Sequence, residues 1–267
     1  MIVWSPSSWD LWKKCPAKYR IKHVEKWQRP GLKRDSAYGK LAIPGLVVDK
    51  LLRFWLHRHD FATMDWLADN FDMVWDMVEH EVRPKWNSEV ELSAFIKETM
   101  DGLNIAVSML KELSPEKYSL FPQPSFFEQV TDDFALTGSA DLLMGDDSTN
   151  EAILIDFKNA HSRERMTKDQ LVIYQIGLER TTQYTIHKAG YLLFNPRLRQ
   201  WKWFDLRSHY REKLLCRLKE ATEELLKGEI AFNWNHYTCT RFCDVRFACD
   251  MFRHHVGKYI KPAGEES

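Results

Sequence analysis

The stretch from Leu136 to Tyr174, LTGSADLLMGDDSTNEAILIDFKNAHSRERMTKDQLVIY, limits what this chain can fold into more than any other. Its middle, Ile153-Leu-Ile-Asp-Phe-Lys158, has the alternation of a strand, in which successive side chains point to opposite faces. Ile153, Ile155 and Phe157 then share one face, and Leu154, Asp156 and Lys158 the other. An acid and a lysine that end a strand on one face form either a surface ion pair, worth little, or the floor of a polar site. Gly145-Asp-Asp-Ser148 reads as a turn between two arms of a hairpin, Ala135 to Met144 and Ala152 to Lys158. Asp141 lies on the first arm, where it can stand beside Asp156. Two carboxylates held together repel unless a divalent cation lies between them, and oxygen ligands of this kind suit Mg²⁺ or Mn²⁺.

A helix is expected next, over Lys168 to Arg180. Gln170 and Tyr174 are four apart and share a face of it. They are either an ordinary helix surface or a pair able to reach a phosphate or a base edge. Between strand and helix lie His161, Arg163, Arg165 and Lys168, a local basic patch that Glu164 and Asp169 partly balance. Such a patch matters here because the formal net charge is zero, so bulk charge cannot hold a polyanion.

The remaining pattern is mixed α/β. Ser5 begins a helix, with Pro16 either starting or breaking a second one. Gly45 to Leu56 reads as a helix whose buried face holds Leu46, Leu52, Trp55 and Leu56. Residues 62 to 113 read as helical with a break at Arg83-Pro84, and Leu92, Phe95, Ile96, Leu103, Ala106, Met109, Leu110 and Leu113 give one stripe of period 3.6. Ser125 to Val130 is a further strand. Tyr191 to Phe194 and Gln200 to Leu206 suggest a second hairpin, and Ser208 to Lys227 an amphipathic helix stopped by Gly228. No apolar run is long enough for a membrane span, and the N-terminus lacks the apolar core of a signal peptide, so a cytoplasmic protein is expected.

Five cysteines remain: Cys15, Cys216, Cys239, Cys243 and Cys249. The last three fall within a short tail segment, which points to ligation of a metal or cluster rather than packing. Zinc, with help from His236 or His254, fits that pattern as well. Cys216, inside an amphipathic helix, reads as ordinary packing.

Taken together, Gly138-x-x-Asp141, Asp156-x-Lys158 and Gln170-x-x-x-Tyr174 resemble the PD-(D/E)xK nuclease superfamily, most of all its RecB-like branch. Gly45-Leu-Val-Val-Asp49 sits where that branch has a glycine, apolar residues and a histidine ligand, with aspartate in place of the histidine. Ala140 stands where the superfamily name expects proline. Ser5-Pro-Ser-Ser8 with Cys15-Pro16-Ala-Lys-Tyr19, and the late Cys239-x₃-Cys243-x₅-Cys249, resemble the four-cysteine members, among them CRISPR adaptation nucleases and AddB-type nucleases. The family more often has two residues between the first pair of late cysteines.

The resemblance implies a restriction-endonuclease-like core with a small mixed sheet flanked by helices. It implies one nuclease domain, with N-terminal helices over 1–56, a helical insertion over 57–120, a catalytic core over 121–207, a cluster-bearing part over 208–255 and a tail beyond. Asp141, Asp156, the Phe157 carbonyl and Asp49 would take Mg²⁺ or Mn²⁺. Lys158 would orient the attacking water and offset charge in the transition state. Gln170 and Tyr174 would contact substrate or shape the site, Arg163, Arg165 and Lys168 would hold the backbone, and Glu128 is a further candidate. Cys15, Cys239, Cys243 and Cys249 would hold a [4Fe–4S] cluster. The implied activity is an exonuclease on DNA single strands or duplex ends, in recombination, replication, repair or CRISPR-type adaptation with partner proteins. The alternative is an inactive DNA-binding or structural subunit. The chain has no Walker A motif and so no helicase motor of its own.

Overall fold

The computed structural model describes residues 1–26, 39–58, 64–160, 166–228, 230–235, 237–239 and 243–257. In chain order the elements are β1 (Ile2–Trp4), α1 (Pro6–Lys14), α2 (Pro16–Tyr19), α3 (Ile43–His57), α4 (Met64–Asp69), α5 (Phe71–Val82), α6 (Glu89–Lys111), β2 (Ser119–Pro122), β3 (Ser125–Gln129), β4 (Phe134–Ser139), β5 (Leu142–Asp146), β6 (Glu151–Lys158), α7 (Lys168–Thr181), β7 (Thr185–Leu193), β8 (Gln200–Phe204), α8 (Ser208–Lys227) and α9 (Asp250–Gly257). One sheet has five strands in the order β2-β5-β6-β7-β8, and another three in the order β1-β4-β3. The mixed α/β class expected from the sequence is the class observed. No helix among the described residues is long and apolar enough to cross a membrane.

The chain forms two compact units. The first combines residues 1–33, 129–135 and 215–267. Its centre is aromatic: fully buried Trp4 meets Trp9 and Trp12 edge-on at 5.6 and 5.7 Å and stacks on Tyr19 at 4.6 Å. The Trp4 indole N–H donates to Thr222 Oγ1 at 2.9 Å. Burial pushes the Tyr19 hydroxyl up to about 12. Ser5 caps α1 through a reciprocal pair of bonds with Ser8. Pro16 does both of the things the sequence allowed, since α1 stops at Lys14 and α2 starts at Pro16, with extended Cys15 between them. On α8, Leu218, Ala221 and Thr222 are buried, while Cys216 is exposed. The reading of Cys216 as a packing residue is therefore wrong; two positions from Leu218 it lies on the far side of a 3.6-residue turn.

The second unit combines residues 34–128 and 136–214. Leu142, Met144, Ile153, Ile155, Phe157, Leu192 and Phe194 cover one face of the five-stranded sheet and share a core with α3, α5 and α6. α7 packs on β6 and β7. Sheet neighbours on both sides and helices above explain why six consecutive residues of β6, Ala152 to Phe157, are buried. β6 runs antiparallel to β5 and parallel to β7. The expected long arm from Ala135 to Met144 is not one strand. It breaks at Ala140-Asp141, with β4 in one sheet and β5 in the other.

Candidate active site

The β5–β6 register pairs Leu142 with Ile155, so Asp141, one residue earlier, stands at the level of Asp156. The bend just before β5 turns the Asp141 carboxylate onto the backbone: the Phe157 N–H donates to Asp141 Oδ2 at 2.6 Å. In a strand the N–H and C=O of one residue point the same way, so the Phe157 carbonyl faces Asp141 too.

Asp156 is the most enclosed acid, with its side chain 2% exposed. The Gln170 amide donates to Asp156 Oδ1 at 2.7 Å and to the Tyr174 hydroxyl at 3.0 Å. Asp156 Oδ2 is held by the Lys158 ammonium. Sheet alternation thus sets acid and lysine together, and α7 brings the glutamine to the same place.

Two residues that the sequence reading overlooked complete the set. Tyr191 is the register partner of Asp156 on β7. Its hydroxyl donates to the Thr167 carbonyl at 2.8 Å and meets Gln170 Oε1 at 3.4 Å, and its ring lies 5.8 Å from the Lys158 nitrogen. Arg53 on α3 bonds Asp49 twice, through Nε at 3.0 Å and a terminal nitrogen at 2.5 Å, and that nitrogen lies 3.7 Å from Asp141 Oδ1. The four-residue spacing of Asp49 and Arg53 was a readable signal; the parallel register that delivers Tyr191 was not.

Two glycines make room for this arrangement. A Cβ on Gly45 would lie 3.3 Å from the Asn159 Cβ, so the bare glycine lets the first turn of α3 lie close against the residue that follows Lys158. One turn later that helix presents Asp49. A Cβ on Gly177 would lie about 2.1 Å from the Phe126 ring. Glycine there lets α7 close on Phe126, which packs edge-on against Tyr174 at 6.4 Å.

The carboxylates strain against one another. Burial first, then the charge of Asp141, push Asp156 up to about 7 despite Lys158. Burial and Asp141 push Asp49 up to about 6 against the pull of Arg53. Burial raises Asp141 as well. For Lys158, burial pulls the pKa down, but Asp156, Asp141 and Asp49 outweigh it and the net shift is upward, so the ammonium stays charged. Burial also raises Tyr174.

The other candidates fall elsewhere. His161, Arg163 and Arg165 lie outside the described residues. Lys168 sits over the Tyr210 ring at 3.8 Å and reaches the Asp205 carbonyl at 3.4 Å. Glu128 pairs with Arg180 at 2.9 Å. Cys15, Cys239, Cys243 and Cys249 all line one pocket of the first unit, with Phe232 and Val245. All four are free thiols, and burial raises Cys243. Among the described residues, no three His, Cys, Asp or Glu side chains converge into a ready-made metal cage.

A family model described as the PD-(D/E)XK nuclease superfamily matches residues 3–250. No curated protein matches the sequence. Among solved structures, a Eubacterium rectale protein whose designation as an exonuclease is itself provisional aligns with 95% of this chain and 84% of its own, at 11% identity and a TM-score of 0.47. A protein named SSO0001 aligns with 88% of this chain and 94% of its own, at 14% identity and a TM-score of 0.36.

Proposed function

The chain belongs to the PD-(D/E)XK nuclease superfamily, and from that premise we propose that it is a divalent-metal-dependent deoxyribonuclease of the RecB-like branch, acting as an exonuclease on single strands or duplex ends. The observation that carries the reading is the set at the end of β6: buried Asp156, Asp141 at its level, and a charged Lys158 between strand and solvent.

The donor set suits Mg²⁺ or Mn²⁺. Every donor is oxygen, and Asp156, raised first by burial and then by the charge of Asp141, carries a penalty on its ionised form that a divalent cation would relieve. Asp141, Asp156 and the Phe157 carbonyl would hold it; Asp49 is left out because both its oxygens already bond Arg53. When bound, such a cation polarises a phosphodiester oxygen and lowers the pKa of water.

The protein's own groups do the rest. Gln170 fixes the Asp156 carboxylate by a bond to Oδ1, and Tyr191 anchors the Thr167 carbonyl at the start of the helix that carries Gln170. Tyr174, 6% exposed, supports Gln170 from below and has little surface left for substrate. Lys158 keeps its proton and offers positive charge where a phosphate oxygen becomes more negative, and it can orient the attacking water. Water adds to phosphorus and loses a proton to solvent, and the bond to the departing sugar oxygen breaks as that oxygen takes up a proton from solvent.

The pocket of four cysteines supports a second part of the reading, a [4Fe–4S] cluster held by Cys15, Cys239, Cys243 and Cys249. Anaerobically purified protein should contain iron and acid-labile sulfide in equal amounts; stoichiometric zinc without sulfide would replace the cluster by a zinc staple.

The test of activity is hydrolysis of end-labelled single- and double-stranded DNA across a metal series. Lys158→Ala and Asp156→Asn should abolish Mn²⁺-dependent cleavage. Cleavage that survives either change would remove these residues from the mechanism, and no cleavage by the unaltered protein would favour a chain that holds DNA without cutting it.

A further inference from the structure

Of the three acids gathered at the end of β6, one already has a counter-charge on its own helix. Asp49 and Arg53 are four apart on α3, and the guanidinium grips the carboxylate by two bonds. The nitrogen that reaches Asp49 Oδ2 also faces Asp141 Oδ1, the one oxygen of Asp141 that the Phe157 amide does not take. Arg53 is only 26% exposed and Asp49 22%, so water screens the pair in part. A guanidinium, unlike an ammonium, does not give up its proton inside a protein. Lys158 plays the matching part for Asp156. Three carboxylates are thus met by two cations, Arg53 at Asp49 and Asp141 and Lys158 at Asp156.

We propose that Arg53 is a resident cation of the active site: it withholds Asp49 from metal binding, so that the protein takes a single divalent cation through Asp141 and Asp156. The inference rests on the nuclease reading and goes beyond it, because it fixes the number of metal ions and gives Asp49 a positioning role in place of a ligand's. A second divalent ion would have to bond Asp49 and the free oxygen of Asp141. Those are the atoms that the guanidinium already faces, and two cations that close repel.

The test is Mn²⁺ binding to the full chain, with free Mn²⁺ read by electron paramagnetic resonance and no substrate present. The unaltered protein should bind one equivalent. Arg53→Gln should bind a second equivalent and tighten the first by about tenfold or more, since a unit charge a few ångströms away has been removed. Asp49→Asn should weaken the unaltered protein's single site by less than about threefold, yet should abolish the second equivalent in the Arg53→Gln background. Arg53→Lys, which keeps the charge, should stay at one equivalent. Arg53→Gln binding no tighter than the unaltered protein would overturn the proposal, and so would loss of the single site in Asp49→Asn alone. If Arg53→Gln fails to fold by circular dichroism, Asp49→Asn decides: retained Mn²⁺ upholds the proposal, lost Mn²⁺ overturns it. Asp156→Asn separates the two readings. Where it abolishes Mn²⁺ binding but Arg53→Gln changes nothing, only the role of Arg53 falls. Where neither the unaltered protein nor Arg53→Gln binds Mn²⁺, the metal-dependent reading falls with it.

Discussion

The acid site and the cysteine pocket are both assembled from distant parts of the chain, but they are held in opposite ways. Each acid is carried on or beside a regular element anchored in the core: Val47, Val48, Leu51 and Leu52 flank Asp49 on α3, and Leu142 and Ile155 lie beside Asp141 and Asp156, all of them fully buried. Three of the four pocket cysteines sit at breaks: Cys15 between two helices, Cys243 before a turn, Cys249 between a 3₁₀ turn and α9. Among the described residues of 230–250 only Val245 is buried. A few polar ties remain, Asn233 to the Lys14 carbonyl at 2.9 Å and Asp244 to Lys18 and Lys22. The first region spends packing to hold groups that repel; the second has too little packing to hold groups that do not. Substitutions should therefore separate activity from stability differently in the two.

The largest effect is expected at the acids. Lys158→Ala should lower Mn²⁺-dependent DNA hydrolysis by about 10³-fold, at the upper end for removal of one charge-stabilising group. Asp156→Asn should match it, yet without metal its melting temperature should be no lower than that of the unaltered protein, because a buried repelling charge has gone. A large fall in melting temperature would mean that Lys158 and Gln170 over-compensate the charge. Cys15→Ala should do the reverse to the fold: limited proteolysis should cut within residues 228–257, while Mn²⁺ binding at the acids persists. A tail that resists protease as before would show that its polar ties suffice.

What could be read from the sequence divides along the same line. The alternation in Ile153–Lys158 gave both faces of β6 correctly, because a strand's period is two whatever surrounds it. The i, i+4 rule put Gln170 and Tyr174 on one face, where a single amide joins them to Asp156. The 3.6-residue stripe of 92–113 became α6, with Leu103, Ala106, Met109 and Leu110 buried. The break at Ala140 was hidden because apolar residues run on both sides of it, and which sheet each half joins depends on pairings far away in sequence. Tyr191 was hidden for the same reason, since only the parallel β6–β7 register puts it beside Asp156. The gathering of four thiols in one unit followed from family pattern; neither periodicity nor propensity could bring Cys15 to Cys249.

Packing behind the acids allows a smaller, sharper probe. Gly177→Ala would drive a Cβ into the Phe126 ring, which cannot yield without disturbing Tyr174. A loss of about 1–3 kcal/mol is expected, the usual range for overpacking. Chemical denaturation should show it, and activity at saturating substrate should fall as well if Tyr174 truly supports Gln170. Stability lost with full activity would detach Tyr174 from the site's geometry.

The smallest effect is a pH dependence of opposite sign in the two regions. Asp156 at about 7, Asp49 at about 6 and raised Asp141 bind more protons folded than unfolded between about 4 and 7. Stability rises with pH only where the unfolded chain holds more protons, so these acids make the metal-free protein less stable as pH climbs through that window. In the cysteine-bearing unit, burial alone would raise Asp244, but its bonds to Lys18 and Lys22 outweigh it and hold it below the ordinary value. Its contribution is present at neutral pH and is lost only as pH falls below the ordinary carboxylate range. With a chelator present, the melting temperature should therefore be higher at pH 5 than at pH 8, and Asp156→Asn should flatten that slope. Divalent cation should reverse it, because a metal held by ionised carboxylates stabilises the folded state more at pH 8 than at pH 5. A chelated protein equally stable at both pH values would mean that Arg53 and Lys158 already cancel the acids' repulsion, leaving no electrostatic reason for the site to take up a metal.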